Sequence, residues 1–170
     1  ENTRGAIFDA IERKETFGTS GPLIRLRFFG SWAYPKGLDK DKDFIKKAYN
    51  GGVPMGQDLP TKDGKAHSFA VWAQKDPDSG NLDRVQIIKG WYENGYPQEK
   101  IYDVALSGNR KADPKTGKVP PVGNTVDIKN ASYTNTIGES MLSAVWTDPD
   151  FKPEHHAVYY VRVMEIPTPR

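Results

Sequence analysis

The sequence predicts a mainly β domain, an antiparallel β-sandwich with a short N-terminal helix and one further short helix. Three observations lead there. Stretches of apolar–polar alternation recur, Val, Ile, Tyr, Phe and Trp dominate them, and clusters of Gly, Pro, Asp and Asn separate them. Strand following strand without intervening helices favours antiparallel layers over a parallel α/β sheet.

The opening stretch offers Asn2 and Thr3 as N-caps, then Ile7, Phe8, Ala10 and Ile11 on one side of a helix ending near Lys14. A helix this short is marginal alone, so its apolar face needs a partner. Burying one such side chain is worth roughly 1.5–3 kcal/mol, and the stripe of Ile7, Phe8 and Ile11 is therefore expected to be covered. Its cover would be the β domain itself or another copy of the chain, which makes a homo-oligomer through this helix a second expectation. Thr16 to Pro22 then breaks the helix with two glycines and a proline.

Leu23–Gly30 alternates, with Ile24, Leu26 and Phe28 on one face and Arg25 and Arg27 on the other, as a half-buried strand does. Asp39–Tyr49 reads as the second helix, with Phe44, Ile45, Ala48 and Tyr49 as its inner stripe and Asn50-Gly51-Gly52 as its stop. Further strands are expected at Ser68–Gln74, Arg84–Trp91, Lys100–Leu106, Ser132–Thr136, Met141–Thr147 and Ala157–Ile166. Two loops rich in Gly, Pro and Lys, Gly51–Ala66 and Ser107–Val122, connect them, and the second is expected to be mobile.

At 170 residues the chain suits one domain able to bury roughly two thirds of its unfolded surface. With no cysteine, it has neither disulfides nor thiolate ligands nor a cysteine nucleophile. The formal charge, 24 − 22 = +2, supplies no strong field toward nucleic acid or an anionic membrane. No apolar run approaches the ~20 residues of a membrane-spanning helix. Neither nucleic-acid binding nor membrane insertion is expected.

The residues assemble no complete catalytic or metal-binding constellation. His155 and His156 are adjacent and point to opposite sides of an extended chain, and His67 stands alone. The aspartates of Asp76-Pro77-Asp78 and Asp148-Pro149-Asp150 lack the Gly and Glu spacing of a calcium loop and read as turn formers. Thr19-Ser20-Gly21 could hold an anion on backbone amides, but fits a helix-to-strand connector better. Among the aromatics, Trp32, Tyr34, Trp91, Tyr92 and Tyr96 fall at strand ends or turns and are expected at the surface, while Trp72 and Trp146 lie mid-strand. Exposed rings of that kind serve as stacking platforms in sugar-binding sandwiches, with Trp32, Trp91 and Tyr96 as the candidates here.

Several motifs carry a resemblance. Asn2-Thr3-Arg4-x-Ala6-Ile7-Phe8-Asp9-Ala10 and Glu15-Thr16-Phe17-x-Thr19-Ser20-Gly21-Pro22 open the series. Leu82-Asp83-Arg84-Val85-Gln86-Ile87-Ile88-Lys89-Gly90-Trp91 and Trp146-Thr147-Asp148-Pro149-Asp150-Phe151 continue it, and Tyr159-Tyr160-Val161-Arg162-Val163-x-Glu165-Ile166-Pro167-Thr168-Pro169-Arg170 closes it. Together they resemble the C-terminal region of an uncharacterised bacterial family of unknown function with a PHP-type (polymerase and histidinol phosphatase) metal-hydrolase domain in front. The resemblance implies that residues 1–20 are a terminal helix and connector from an upstream barrel, and residues 21–170 a β-sandwich packed on it. The chain opens on Glu1 without an initiator Met, in keeping with a piece of something longer.

In such proteins divalent metals held by the barrel activate water for phosphoester hydrolysis. Those ligands would precede Glu1, so no catalytic residue and no metal ligand is carried over, and no cofactor is expected within this chain. A helix following the last barrel strand begins at the active-site end, which leaves Arg4 as the one candidate for touching substrate. The resemblance also favours a periplasmic or extracellular setting. The implied role is non-catalytic support of the barrel; the alternative is a carbohydrate- or ligand-binding module.

Overall fold

The computed structural model describes residues 2–60, 62 and 64–169 of the chain. Thr61 and Asp63 in the loop after Gly51, and Glu1 and Arg170 at the two ends of the motifs above, lie outside them. Strand accounts for 35% and helix for 12%, in two antiparallel sheets and two α-helices, the layer content of the expected sandwich. The elements run α1 (Arg4–Glu12), β1 (Arg25–Ser31), a 3-10 turn (Leu38–Lys40), α2 (Phe44–Gly51), β2 (Val53–Pro54), β3 (Ser68–Gln74), β4 (Leu82–Glu93), β5 (Tyr96–Leu106), β6 (Met141–Thr147) and β7 (Ala157–Glu165). One sheet has the order β2-β1-β3-β6, the other β5-β4-β7. The chain divides into two units, residues 1–20, 26–72 and 144–156 in the first and residues 21–25, 73–143 and 157–170 in the second.

In the first unit, β1 begins as the expected alternating strand, with Leu26 and Phe28 buried and Arg25 and Arg27 exposed. From Phe28 on every residue is buried, because α2 covers the second face. Phe29, 1% exposed, meets Phe44 edge-to-face at 5.7 Å, while Phe28 stacks on Phe69 at 5.4 Å. Phe44 and Ala48, four residues apart on α2, are the buried pair. Ile45 and Tyr49 are 47% and 43% exposed, so the inner stripe is narrower than expected. Asp39 belongs to the 3-10 turn rather than to α2.

The C-terminus of α2 leaves carbonyls without helical partners, and β1 with the segment after it supplies them. The Tyr34 hydroxyl donates to the Ala48 carbonyl at 2.7 Å, and the Ser31 hydroxyl to that of Gly51 at 2.6 Å. Burial pushes the Tyr34 phenol up to about 12, so it stays a donor at neutral pH. Gly52 then passes so close that a Cβ there would lie 2.2 Å from the Gly30 carbonyl oxygen and 2.3 Å from the Tyr34 hydroxyl. The chain continues into β2, an edge strand in which Pro54 needs no N–H partner. Tyr34, expected at the surface, is thus a core residue at 8% exposure.

In the second unit β4 is the central strand, flanked antiparallel by β5 and β7. Val85, Ile87 and Ile88 are fully buried. Asn94 and Gly95 both take positive φ, 54° and 81°, and join Glu93 to its partner Tyr96. This two-residue turn matches the twist of the strands it connects. The hairpin is consequently longer than the expected Arg84–Trp91 and Lys100–Leu106, and Tyr92 and Tyr96 are strand residues.

Ser132–Thr136 is not a strand; a single bridge pairs Asp127 with Ser132. Its polar side chains take over the hydrogen bonds that a ladder would use. Thr125 Oγ1 donates to the Thr134 carbonyl at 2.7 Å, and Asn135 Oδ1 accepts the Asn81 amide at 2.7 Å. The Ser107–Val122 loop, expected to be mobile, is tied down by Arg110. Its guanidinium donates to the carbonyls of Ser107 (2.9 Å), Pro120 (2.9 Å) and Asp83 (2.7 Å) and to the Asp83 carboxylate.

Both Asp-Pro-Asp segments are turns, as expected. Asp76 accepts the Asp78 amide at 3.0 Å and Asp148 accepts that of Asp150 at 2.9 Å. Asp76 also accepts the Leu23 amide at 2.6 Å, which fixes residues 21–25 in the second unit.

Two outcomes test this account. Gly52→Ala should destabilise the chain by about 1–3 kcal/mol in urea unfolding, because the added methyl must displace backbone; an unchanged midpoint would show that the close approach is not needed. The Asp76 carboxyl is held below its ordinary range by the Leu23 amide and then the Asp78 amide. A carboxylate with a lowered folded pKa stabilises above its unfolded value of about 3.9 and loses that contribution as pH falls toward the folded value. Asp76→Ala should therefore lower the melting temperature at neutral pH and flatten its decline below about pH 4; a parallel decline would sink the assignment.

Candidate functional site

Thr3 caps α1, its hydroxyl accepting the Ala6 amide at 3.2 Å. Arg4, the sequence-derived candidate for substrate contact, follows directly and is exposed in the first turn. The other end of the helix is clamped within the first unit. Gln57 Nε2 donates to the Arg13 carbonyl at 3.0 Å, and the Tyr49 hydroxyl of α2 donates to the Glu15 carboxylate. At Gly56, with φ of 85°, a side chain would press within 2.4 Å of the Lys14 carbonyl oxygen. Only glycine suits both that backbone conformation and that closeness.

A helix held this firmly was expected to bury its stripe. Instead Ile7, Phe8 and Ile11 are 50%, 64% and 60% exposed, and α1 has no buried residue. With Arg4 and Gly5 they line an open concavity of about 500 Å³. The reason is geometric: the clamps act on Arg13, Lys14 and Glu15, beyond the last apolar residue. The helix is positioned by its exit, and its apolar side is left free.

The aromatic candidates do not form one group. In the first unit Trp32 is half-buried; its indole donates to the Pro60 carbonyl at 2.8 Å, and the Lys62 ammonium lies 5.1 Å from the ring. In the second unit Trp91 is half-buried with the Lys89 ammonium 5.4 Å away, and Lys89 also faces Tyr159 at 5.8 Å. Tyr96 is 71% exposed beside the hairpin turn. Trp72 packs against the Phe29–Phe44 core, and Trp146 stacks on Phe69 at 6.0 Å.

His67 packs against Phe151 at 4.8 Å, His155 is half-buried and His156 exposed. Among the described residues no three His, Asp or Glu side chains gather where a metal ion could be held. Thr19, Ser20 and Gly21 are exposed in the connector. No helix among the described residues is long and apolar enough to cross a membrane.

Sequence reasoning found the helix stripe, and of the covers it offered the β domain of the same chain supplies none. It missed the clamp, whose parts Gln57, Gly56 and Tyr49 lie more than thirty residues from the helix. Gly56 beside Pro54 was legible only as a turn.

No curated protein and no solved structure matches the chain. Residues 1–170 match the family described as "Protein of unknown function (DUF3604)". The match spans the whole chain, and the protein belongs to that family.

Proposed function

We propose that this chain is the non-catalytic C-terminal β domain of a PHP-like metal-dependent hydrolase, and that α1 is its docking element for an upstream catalytic barrel. The observation that carries the reading is the exposure of Ile7, Phe8 and Ile11 on a helix whose exit is fixed. Three apolar side chains in water are costly, and a fixed exit presents them as one surface. In this reading residues 1–20 are the terminal helix and connector, and residues 21–170 the supporting β domain. Arg4, at the exposed start of α1, is its candidate for reaching the substrate of the barrel. A hydrolytic centre with divalent metals belongs to the barrel and not to these residues.

A helix stripe of this size is small beside the ~800 Å² per partner of a standard protein–protein interface. A covalently tethered partner suits it, since tethering raises the effective concentration without new contacts. The same stripe is less suited to holding two free copies together.

Phe8→Asp distinguishes the possibilities. In the isolated chain Phe8 is exposed, so the substitution should change stability by no more than about 0.5 kcal/mol. In the full-length parent it should lower the melting temperature of the barrel or release the β domain to limited proteolysis. An equal loss in both proteins would contradict the docking role. The isolated chain, supplied with Mn²⁺ or Zn²⁺, should not hydrolyse an aryl phosphate. Turnover abolished by the double substitution of His155 and His156 would overturn the non-catalytic assignment.

A further inference from the structure

The three-stranded sheet carries an apolar surface that the reading above leaves unused. Residues paired directly across strands share a face, so the register defines its rungs. Asp103, Gln86 and Arg162 form one rung and Ile101, Ile88 and Tyr160 the next. Glu99, Gly90 and Val158 follow, and Pro97 pairs with Tyr92. On this face Tyr92 is 65% exposed, Val158 64%, Ile101 46% and Tyr160 44%. Ile88 between them is fully buried. Gly90 supplies no side chain, and Val158 Cγ1 lies 3.4 Å from where its Cβ would stand. A contiguous apolar surface of this kind on an otherwise polar strand set marks an interaction site.

The charges around it identify the partner. The β5 edge presents Glu99 and Asp103, and the β7 edge presents the exposed Arg162. Asp103 and Arg162 both pair with Gln86, so they lie on one rung at opposite edges. A two-fold axis parallel to the strands exchanges the two edges when two such faces meet. It sets Arg162 of one copy over Asp103 of the other, and Ile101 over Tyr160. Asp103 already accepts Gln86 Nε2 at 2.9 Å and Arg84 Nη1 at 3.4 Å, and a carboxylate has acceptor sites left for a further donor. The face is complementary to itself, as an isologous interface must be. A flat sugar is a poorer fit, because the branched side chain of Val158 stands on the rung between the rings of Tyr160 and Tyr92.

We infer that this face of the β5-β4-β7 sheet pairs two copies of the chain, through the apolar rungs and reciprocal Arg162–Asp103 contacts. Three strands about 4.8 Å apart make a narrow face, so the dimer is weak and concentration-dependent. The inference is independent of the α1 docking role.

Sedimentation velocity on the 170-residue chain, from about 1 µM to 0.5 mM, tests it in the affinity range of a small interface. The wild type should pass from monomer to dimer across that range. Val158→Lys should remain monomeric, and Arg162→Glu should raise the dissociation constant roughly tenfold or more, both with unchanged far-UV circular dichroism. Phe8→Asp should dimerise like the wild type. A wild type that stays monomeric throughout overturns the inference. So does a dimer that survives Val158→Lys but is lost with Phe8→Asp, which would place the contact on α1. Binding of a soluble β-1,4-glucan oligosaccharide to a monomeric wild type, abolished by Val158→Lys, would also overturn it and assign the face to sugar.

Discussion

The first unit depends on one close crossing, that of Gly52 against Gly30 and Tyr34. There the end of α2 lies so near β1 that a Cβ on Gly52 would fall inside the Gly30 carbonyl and the Tyr34 hydroxyl. The closeness lets Tyr34 and Ser31 satisfy the last carbonyls of α2, which fixes the helix over Phe29. A carbonyl left buried without a donor costs about 1–3 kcal/mol, so the caps and the crossing support one another. Everything that positions α1 follows from it. Tyr49 on α2 reaches Glu15, and the turn after β2 brings Gln57 and Gly56 against Arg13 and Lys14.

That arrangement gives α1 an uncommon energetic character. Its exit is restrained by polar contacts and close backbone packing, whereas its apolar side buries no residue in the unit. A short helix without tertiary burial is held against fraying by its cap and its clamp alone. Such an element is suited to recognition, because its exit already sets where a partner must meet it, while the turns before the clamp gain order on docking. The second unit is built on the opposite principle. A long two-residue hairpin, the Arg110 staple and the Asp76 turn tie its loops to a central strand buried at Val85, Ile87 and Ile88.

Much of this was legible in the sequence wherever one physical pattern acted alone. Ser68–Gln74 and Met141–Thr147 are strands at the limits their strand-forming residues and flanking turns give, and Leu26, Phe28, Arg25 and Arg27 sort to the expected faces. Both Asp-Pro-Asp turns form as their chemistry dictates. The misreadings share a cause: a partner distant in sequence changed the outcome. Tyr34 looked like a surface ring until the α2 carbonyls claimed its hydroxyl. Ser132–Thr136 had strand-forming residues, but Asn81 and Thr125 engage its polar groups. The α1 stripe looked like a buried face because its spacing is that of one. Periodicity reveals which side of a helix is apolar, but not whether anything lies against it.

The central claim is that α1 is held ready for a partner rather than being part of the core. Hydrogen–deuterium exchange over Arg4–Glu12, compared between the isolated chain and a longer protein carrying the barrel proposed above, tests it most directly. Exchange should be rapid along α1 in the isolated chain, slow for Phe44–Gly51 in both proteins, and strongly slowed along α1 in the longer protein alone. Equal protection of α1 in both proteins would contradict it, because the helix would then owe its order to this domain and to no partner.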